Sequence, residues 1–250
     1  MSKYTLGLVS ISFRGVPVEE ILLSMKQAGL SCVEWGSDVH APKDDADRLA
    51  QIAALQQKYA IACCSYGTYF RLGDTPLEEL EGYIAAAKVL GTNVLRLWCG
   101  TKNSGEYSTQ EKENLFAVCK RAAAMAAENE VILCMECHNG TFTDAPDAAQ
   151  ELMCAVDSNH FQMYWQPNQL KTVEENRRYA ACVAPHTKHV HVFNWEGNNR
   201  YPLAQGVQQW QEYLSCFEGD RCLLLEFMPD VNIESLNNEA DALRKVVDGL

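Results

Sequence analysis

The chain has 250 residues, 47% of them apolar, with a formal net charge of −12 at pH 7 and eleven cysteines. That length is the ordinary size of one eight-unit α/β barrel and is enough to bury a core without disulfides or a structural metal. The acidic balance, with no local basic patch, argues against nucleic acid as a partner, and no apolar run is long enough to cross a bilayer.

Met1-Ser2-Lys3-Tyr4 runs directly into a strand-like segment, without the charged and then apolar stretches of a leader, so the chain reads as cytoplasmic. The cysteine number is odd, and Cys63, Cys64, Cys134, Cys182 and Cys222 sit inside apolar patterns. Free thiols in a reducing compartment account for this better than a disulfide framework does.

From the N-terminus, short β-rich apolar runs alternate with longer runs of helical period, about 30 residues per pair. The predicted strands are 5–13, 32–36, 61–66, 94–99, 131–137, 161–165, 189–193 and 222–227. The predicted helices lie near 17–29, 45–59, 76–90, 108–129, 145–157, 172–184, 206–217 and 233–249. Thr75-Pro76 places proline in a first helical turn, Ser108 and Glu111 have capping-box spacing, and Gly29 and Gly91 fall where helices stop. An open doubly wound sheet usually has fewer units and often a glycine-rich phosphate loop, and no such loop is present. Eight βα units with no linker between them therefore predict one domain, 1–250, folded as a (β/α)₈ (TIM) barrel. In that architecture chemistry belongs at the C-terminal ends of the strands.

Four successive strand ends carry metal-type ligands: Glu136 in Met135-Glu-Cys-His138, Gln166 in Tyr164-Trp-Gln-Pro-Asn168, His191 in His189-Val-His-Val192, and Glu226 in Leu225-Glu-Phe227. A carboxylate inside an apolar strand needs a partner. For one glutamate alone an Arg or Lys near the barrel mouth is the simpler partner; four ligand types on four neighbouring strands favour a shared cation.

On these motifs the whole chain resembles the xylose-isomerase-like sugar isomerases and epimerases, relatives of the ketose 3-epimerases and hydroxypyruvate isomerases. The stretch from Glu196 to Pro202, with Arg200 after two asparagines, is similar to the epimerases' loop after the seventh strand. The resemblance implies one divalent ion (Mn, Mg, Co or Zn) held by Glu136, Gln166, His191 and Glu226. It implies Glu136 and Glu226 as the proton-transferring pair, Arg200 near substrate, a small sugar or polyol as substrate, and a homodimer or homotetramer. The implied reaction passes through an enediolate: proton return to the same carbon epimerises, and return to its neighbour isomerises. One position departs from the pattern, since Gln166 stands where the family has Asp, and an amide oxygen is the weaker ligand for a hard cation. Dehydratase or lyase chemistry on the same fold, and a non-catalytic sugar-binding module, are the alternatives.

Around the same mouth Glu34, Trp35, His40, Arg96 and His138 are further candidate substrate contacts. Arg96 could instead neutralise a carboxylate, and His138 could be purely structural. Trp35, Trp98, Trp165 and Trp195 all fall at strand ends, where aromatic faces either stack on a sugar or simply fill the mouth. Asp38 reads as part of a solvated loop. Cys134-Met-Glu-Cys137-His138 spells a haem-attachment string, but on a strand the two cysteines face opposite sides, and Asn139-Gly-Thr141 is a sequon without meaning inside a cell.

Overall fold

The computed structural model describes residues 3–250, and Met1 and Ser2 of the N-terminal stretch discussed above lie outside them. Eight parallel strands close into a barrel: β1 (Tyr4–Val9), β2 (Cys32–Gly36), β3 (Ala62–Leu72), β4 (Val94–Cys99), β5 (Ile132–Glu136), β6 (Phe161–Trp165), β7 (Thr187–Val192) and β10 (Arg221–Leu225). β10 pairs with β1 and so closes the ring with the first and last barrel strands. Each βα connection is right for this architecture because a parallel neighbour needs a helical crossover. The helices are α1 (Val18–Gln27), α2 (Ala46–Tyr59), α3 (Leu80–Leu90), α4 (Thr109–Glu128), α5 (Pro146–Val156), α6 (Val173–Val183), α7 (Val207–Leu214) and α8 (Leu236–Asp248). Among the described residues no helix is long and apolar enough to cross a membrane.

Local chemistry sets the helix ends. Ser108 and Glu111 form the expected reciprocal box, the Ser108 hydroxyl accepting from the Glu111 N–H at 3.3 Å and the Glu111 carboxylate accepting from the Ser108 N–H at 2.8 Å. Gly91 ends α3 at φ 83°, a left-handed conformation that favours glycine.

Strand alternation divides the interior. Inward positions on β2 (Cys32, Glu34), β4 (Val94, Arg96), β5 (Cys134, Glu136) and β10 (Cys222, Leu224) run from thiols and apolar groups at the N-terminal end to charged groups at the C-terminal end. Outward positions pack on the helices in a larger core.

Three features depart from the sequence-based expectation. Residues Ser10–Phe13, read as the end of the first strand, form a 3-10 turn. β3 runs on to Leu72 and carries a one-residue bulge: Val33 pairs Cys63 and Glu34 pairs Ser65, so Cys64 is the extra residue. A small hairpin, β8 (Trp195–Glu196) with β9 (Asn199–Arg200), lies in the loop after β7. The cysteines are all free thiols; Cys63 and Cys134 are buried, whereas Cys64, Cys182 and Cys222 are partly exposed.

Candidate metal centre

The barrel brings Glu136, His191 and Glu226 together, with ligand atoms all within 4.8 Å of one another. Nδ1 of His191 is the common point. It lies 3.4 Å from Glu136 Oε1, 3.2 Å from Glu226 Oε2 and 3.3 Å from Gln166 Oε1. Ligands bound at ~2.1 Å to one small cation stand roughly 3 Å apart, and each of the three oxygens stands from Nδ1 at about that spacing. Gln166 is fixed in the orientation this needs, because its Nε2 donates to the Cys137 carbonyl at 3.2 Å and its Oε1 is left to face the imidazole. Among the described residues Glu226 Oε2 is buried with no hydrogen-bond partner, a costly condition for a carboxylate oxygen unless something else fills it. The backbone just beyond it is strained: Phe227 has φ 49°, an uncommon conformation for a bulky aromatic residue.

Behind these side chains Arg96 bridges two buried carboxylates, through Nε to Glu34 Oε1 at 2.8 Å and through Nη1 to Glu136 Oε2 at 2.7 Å. The Trp98 indole N–H also donates to Glu136 Oε2. Burial opposes ionisation of Glu136, but Arg96 and His191 outweigh it and hold the carboxyl at about 2. For Glu34 burial likewise opposes ionisation, and Arg96 with His191 again pulls it below the ordinary carboxylate range. Burial would keep His191 neutral, yet Glu226, Glu34 and Glu136 raise its pKa well above the usual value. The sum explains why. The carboxyl groups of Glu34, Glu136 and Glu226 face one guanidinium and one imidazole, an acidic surplus that draws a proton to the imidazole and that a divalent cation in that proton's place would offset.

Several candidate substrate contacts stand elsewhere. Glu34 is wholly buried; its Oε2 lies 3.5 Å from His191 Nε2, the side away from the common point. Glu34 thus stands behind His191, where a carboxylate fixes the orientation of an imidazole, and away from the open mouth. Arg96, only 2% exposed, is the neutralising cation of this cluster. Trp35 faces the helices, its indole N–H donating to Gln56 of α2 at 2.7 Å, and Trp165 packs on Trp210, Tyr213 and Phe217 in the same outer layer. His40 is buried between the Ser10 hydroxyl at 3.2 Å and the Val16 carbonyl at 3.1 Å. Trp35, Trp165 and His40 are thus away from the mouth. Asp38 is held by Arg14 at 2.8 Å and is less free than a solvated loop residue.

The rim is made by Trp98, His138, Trp195 and Arg200, the last two joined by Phe227, which the sequence reading did not single out. His138 is exposed with its ring 5.3 Å from that of Trp98. The Arg200 guanidinium lies 4.8 Å from the centres of both Trp195 and Phe227, and that of Arg71 lies 4.3 Å from Trp98. A cavity of about 130 Å³ between His138, Gln166, Phe193, Trp195 and Phe227 opens onto Gln166. A larger cleft of about 700 Å³ lies beside it, between the start of α5 and the first half of α6, and touches none of Glu136, Gln166, His191 and Glu226.

The sequence matches the family model described as xylose isomerase-like TIM barrel over residues 23–245. No curated protein matches it. Among solved structures it is similar to the probable 3-DHS dehydratase AsbF of Bacillus anthracis, at 16% identity over 96% of this chain and 98% of the other, with a TM-score of 0.81. A D-psicose 3-epimerase of Clostridium cellulolyticum, solved with D-tagatose, superposes with a TM-score of 0.69 at 12% identity, covering 98% and 97% of the two chains. A xylose isomerase-like TIM barrel protein of Mycobacterium smegmatis, in complex with magnesium, does so with a TM-score of 0.71 at 13% identity over 100% and 99%.

Proposed function

The chain belongs to the xylose isomerase-like TIM barrel family, and from that premise we propose that it is a divalent-metal-dependent isomerase or epimerase of a small ketose or related polyol. The observation that carries this reading is the convergence of Glu136, Gln166, His191 and Glu226 on one point, with Glu226 Oε2 making no hydrogen bond and facing only His191 Nδ1 at 3.2 Å. A cation held by those four residues would supply Lewis acidity to adjacent carbonyl and hydroxyl oxygens of the substrate.

The protein's own groups divide the remaining work. Glu226, with a carboxylate oxygen free of hydrogen bonds, takes the proton from the carbon beside the carbonyl. Glu136, clamped by Arg96 and Trp98 and held at about 2, is a weak base, suited to holding charge and to handing on a proton only fleetingly. Glu34 orients His191 and Arg96 balances the charge. Trp98, Trp195 and Phe227 offer apolar faces to the C–H side of a sugar, while His138 and Arg200 sit within reach of its oxygens.

The test is exchange. In D₂O with Mn²⁺ and a panel of ketoses, deuterium enters a carbon next to the carbonyl, and Glu226→Gln and Glu136→Gln abolish that entry while still folding. Ketose binding without exchange in the metal-loaded wild type refutes the enzyme reading in favour of a sugar-binding module.

A second reading, a dehydratase of a carboxylate-bearing polyol, draws on one observation: Arg71 and Arg200 bring two guanidinium groups to the rim of an otherwise acidic protein, and the structurally similar AsbF is a probable dehydratase. Proton abstraction beside a carbonyl begins both reactions, so loss of water, seen as a new conjugated absorbance, separates them.

A further inference from the structure

At the opposite end of the barrel from the carboxylates, three thiols meet. Cys32 opens β2, Cys222 is the second residue of β10, and Cys64 is the extra residue of the β3 bulge. Their sulfur atoms all lie within 4.8 Å of one another. Each arrives by its own strand and on the inward side, next to Cys134 and Leu224. The bulge matters, because without its extra residue the alternation of β3 would put a different side chain at the cluster.

The neighbouring strand makes room for them. β1 has Gly7 opposite Cys32 and Leu224, and a methyl at Gly7 would stand 2.5 Å from the Cys32 sulfur and 2.2 Å from its carbonyl oxygen. The missing side chain is therefore what admits the sulfur. His189 secures the far side: its Nδ1 accepts the Cys222 backbone N–H at 3.1 Å, and its ring packs against Tyr164. The Cys64 thiol donates to the Val33 carbonyl at 3.4 Å. Cys64 and Cys222 are partly exposed, which leaves a path from solvent.

We propose that Cys32, Cys64 and Cys222 bind a thiophilic d¹⁰ cation of the Zn²⁺ class. Sulfur ligands at ~2.3 Å around such an ion stand roughly 3.8 Å apart, a spacing these side chains reach with small rotations. Each thiol that becomes a ligand loses its proton to solvent, and three thiolates around a dication leave one net negative charge. The site is structural. It joins β2, β3 and β10 around β1, across the seam where the first and last strands close the barrel. It is also separate from the carboxylate centre: Glu226, the residue just past β10, follows Cys222 by four positions, ~13 Å at the rise of an extended chain. Its soft sulfur donors select a different class of metal from the oxygen-rich mouth.

Reduced, metal-free wild-type protein titrated with Cd²⁺ tests this. The expected result is a thiolate-to-cadmium ultraviolet charge-transfer band that saturates at one Cd²⁺ per chain and is displaced by Zn²⁺, with a rise in melting temperature. Cys64→Ser, at a partly exposed position, and Cys32→Ser each weaken the binding at least tenfold. Cys154→Ser, at the exposed cysteine, and Glu226→Gln, at the other centre, keep the band. The proposal is overturned if wild-type protein shows no thiolate band at stoichiometric Cd²⁺, a result that depends on no variant. It is equally overturned if the band survives both Cys32→Ser and Cys64→Ser, or disappears in Glu226→Gln.

Discussion

One methyl group at Gly67 probes the charge cluster without removing any of its members. A Cβ there would lie 2.6 Å from Glu34 Oε1 and 2.8 Å from the Arg96 Nη2 atom, both fully interior. Neither side chain has room to retreat, since Glu34 is also against His191 and Arg96 is also bound to Glu136. Overpacking of this kind costs about 1–3 kcal/mol, and separating a buried ion pair costs about 3–5 kcal/mol when the separation is complete. A partial separation therefore predicts about 2–4 kcal/mol for Gly67→Ala. For a chain of this size that is a fall in melting temperature of roughly 5–15 °C. Because Glu34 orients His191, affinity for Mn²⁺ falls as well, by about 10- to 100-fold. Thermal melts and Mn²⁺ titration on the same preparation measure both. Gly105→Ala, where nothing lies within 4 Å of the added carbon, is the control. A Gly67→Ala protein that melts with the wild type and binds Mn²⁺ equally well refutes the claim that Glu34 and Arg96 hold the site in place.

Arg96→Met inverts the pH dependence of stability in metal-free protein. In the wild type the depressed Glu136 contributes stability that is present above the ordinary value of 4.5 and lost as pH falls towards about 2. Without Arg96 burial dominates, the buried carboxyls bind protons more readily when folded, and urea titrations find the variant more stable at pH 5 than at pH 7. Gln166→Glu adds a carboxylate among three others, so it lowers the metal-free melting temperature and tightens Mn²⁺ binding about tenfold or more, read by calorimetry. Trp35→Phe removes the bond to Gln56 and lowers stability by about 1–3 kcal/mol, while KM for any substrate found stays unchanged. A raised KM would return Trp35 to the site.

The barrel was legible because eight apolar runs alternate with eight helical ones, and three of the eight strands, 32–36, 94–99 and 161–165, match the observed limits. Glu136, His191 and Glu226 were legible for a related reason: a charged residue near the end of an apolar strand has few places to go but inward. What position along a strand does not settle is which face a residue takes. Trp35 follows inward-facing Glu34 and so points outward, and Trp165 precedes Gln166 and does the same. His40 was misplaced because its partners, Ser10 and Val16, lie in and just after a 3-10 turn that reads as apolar strand. Arg71 and Phe227 gave no signal, since β3 continues past its apolar run and a left-handed φ at an aromatic residue has no sequence mark. The thiol cluster was hidden because it depends on a bulge at Cys64.

The central claim is that a divalent cation sits where His191 Nδ1 faces Glu136, Gln166 and Glu226. Anomalous diffraction from crystals grown with Mn²⁺ locates the ion directly. A single strong peak roughly 2.0–2.4 Å from Nδ1 and from an oxygen of each of the other three side chains, with Glu34 still against His191 Nε2, is the predicted result. A map with no peak there, and His191 still bridging Glu34 and Glu226 at saturating Mn²⁺, contradicts it.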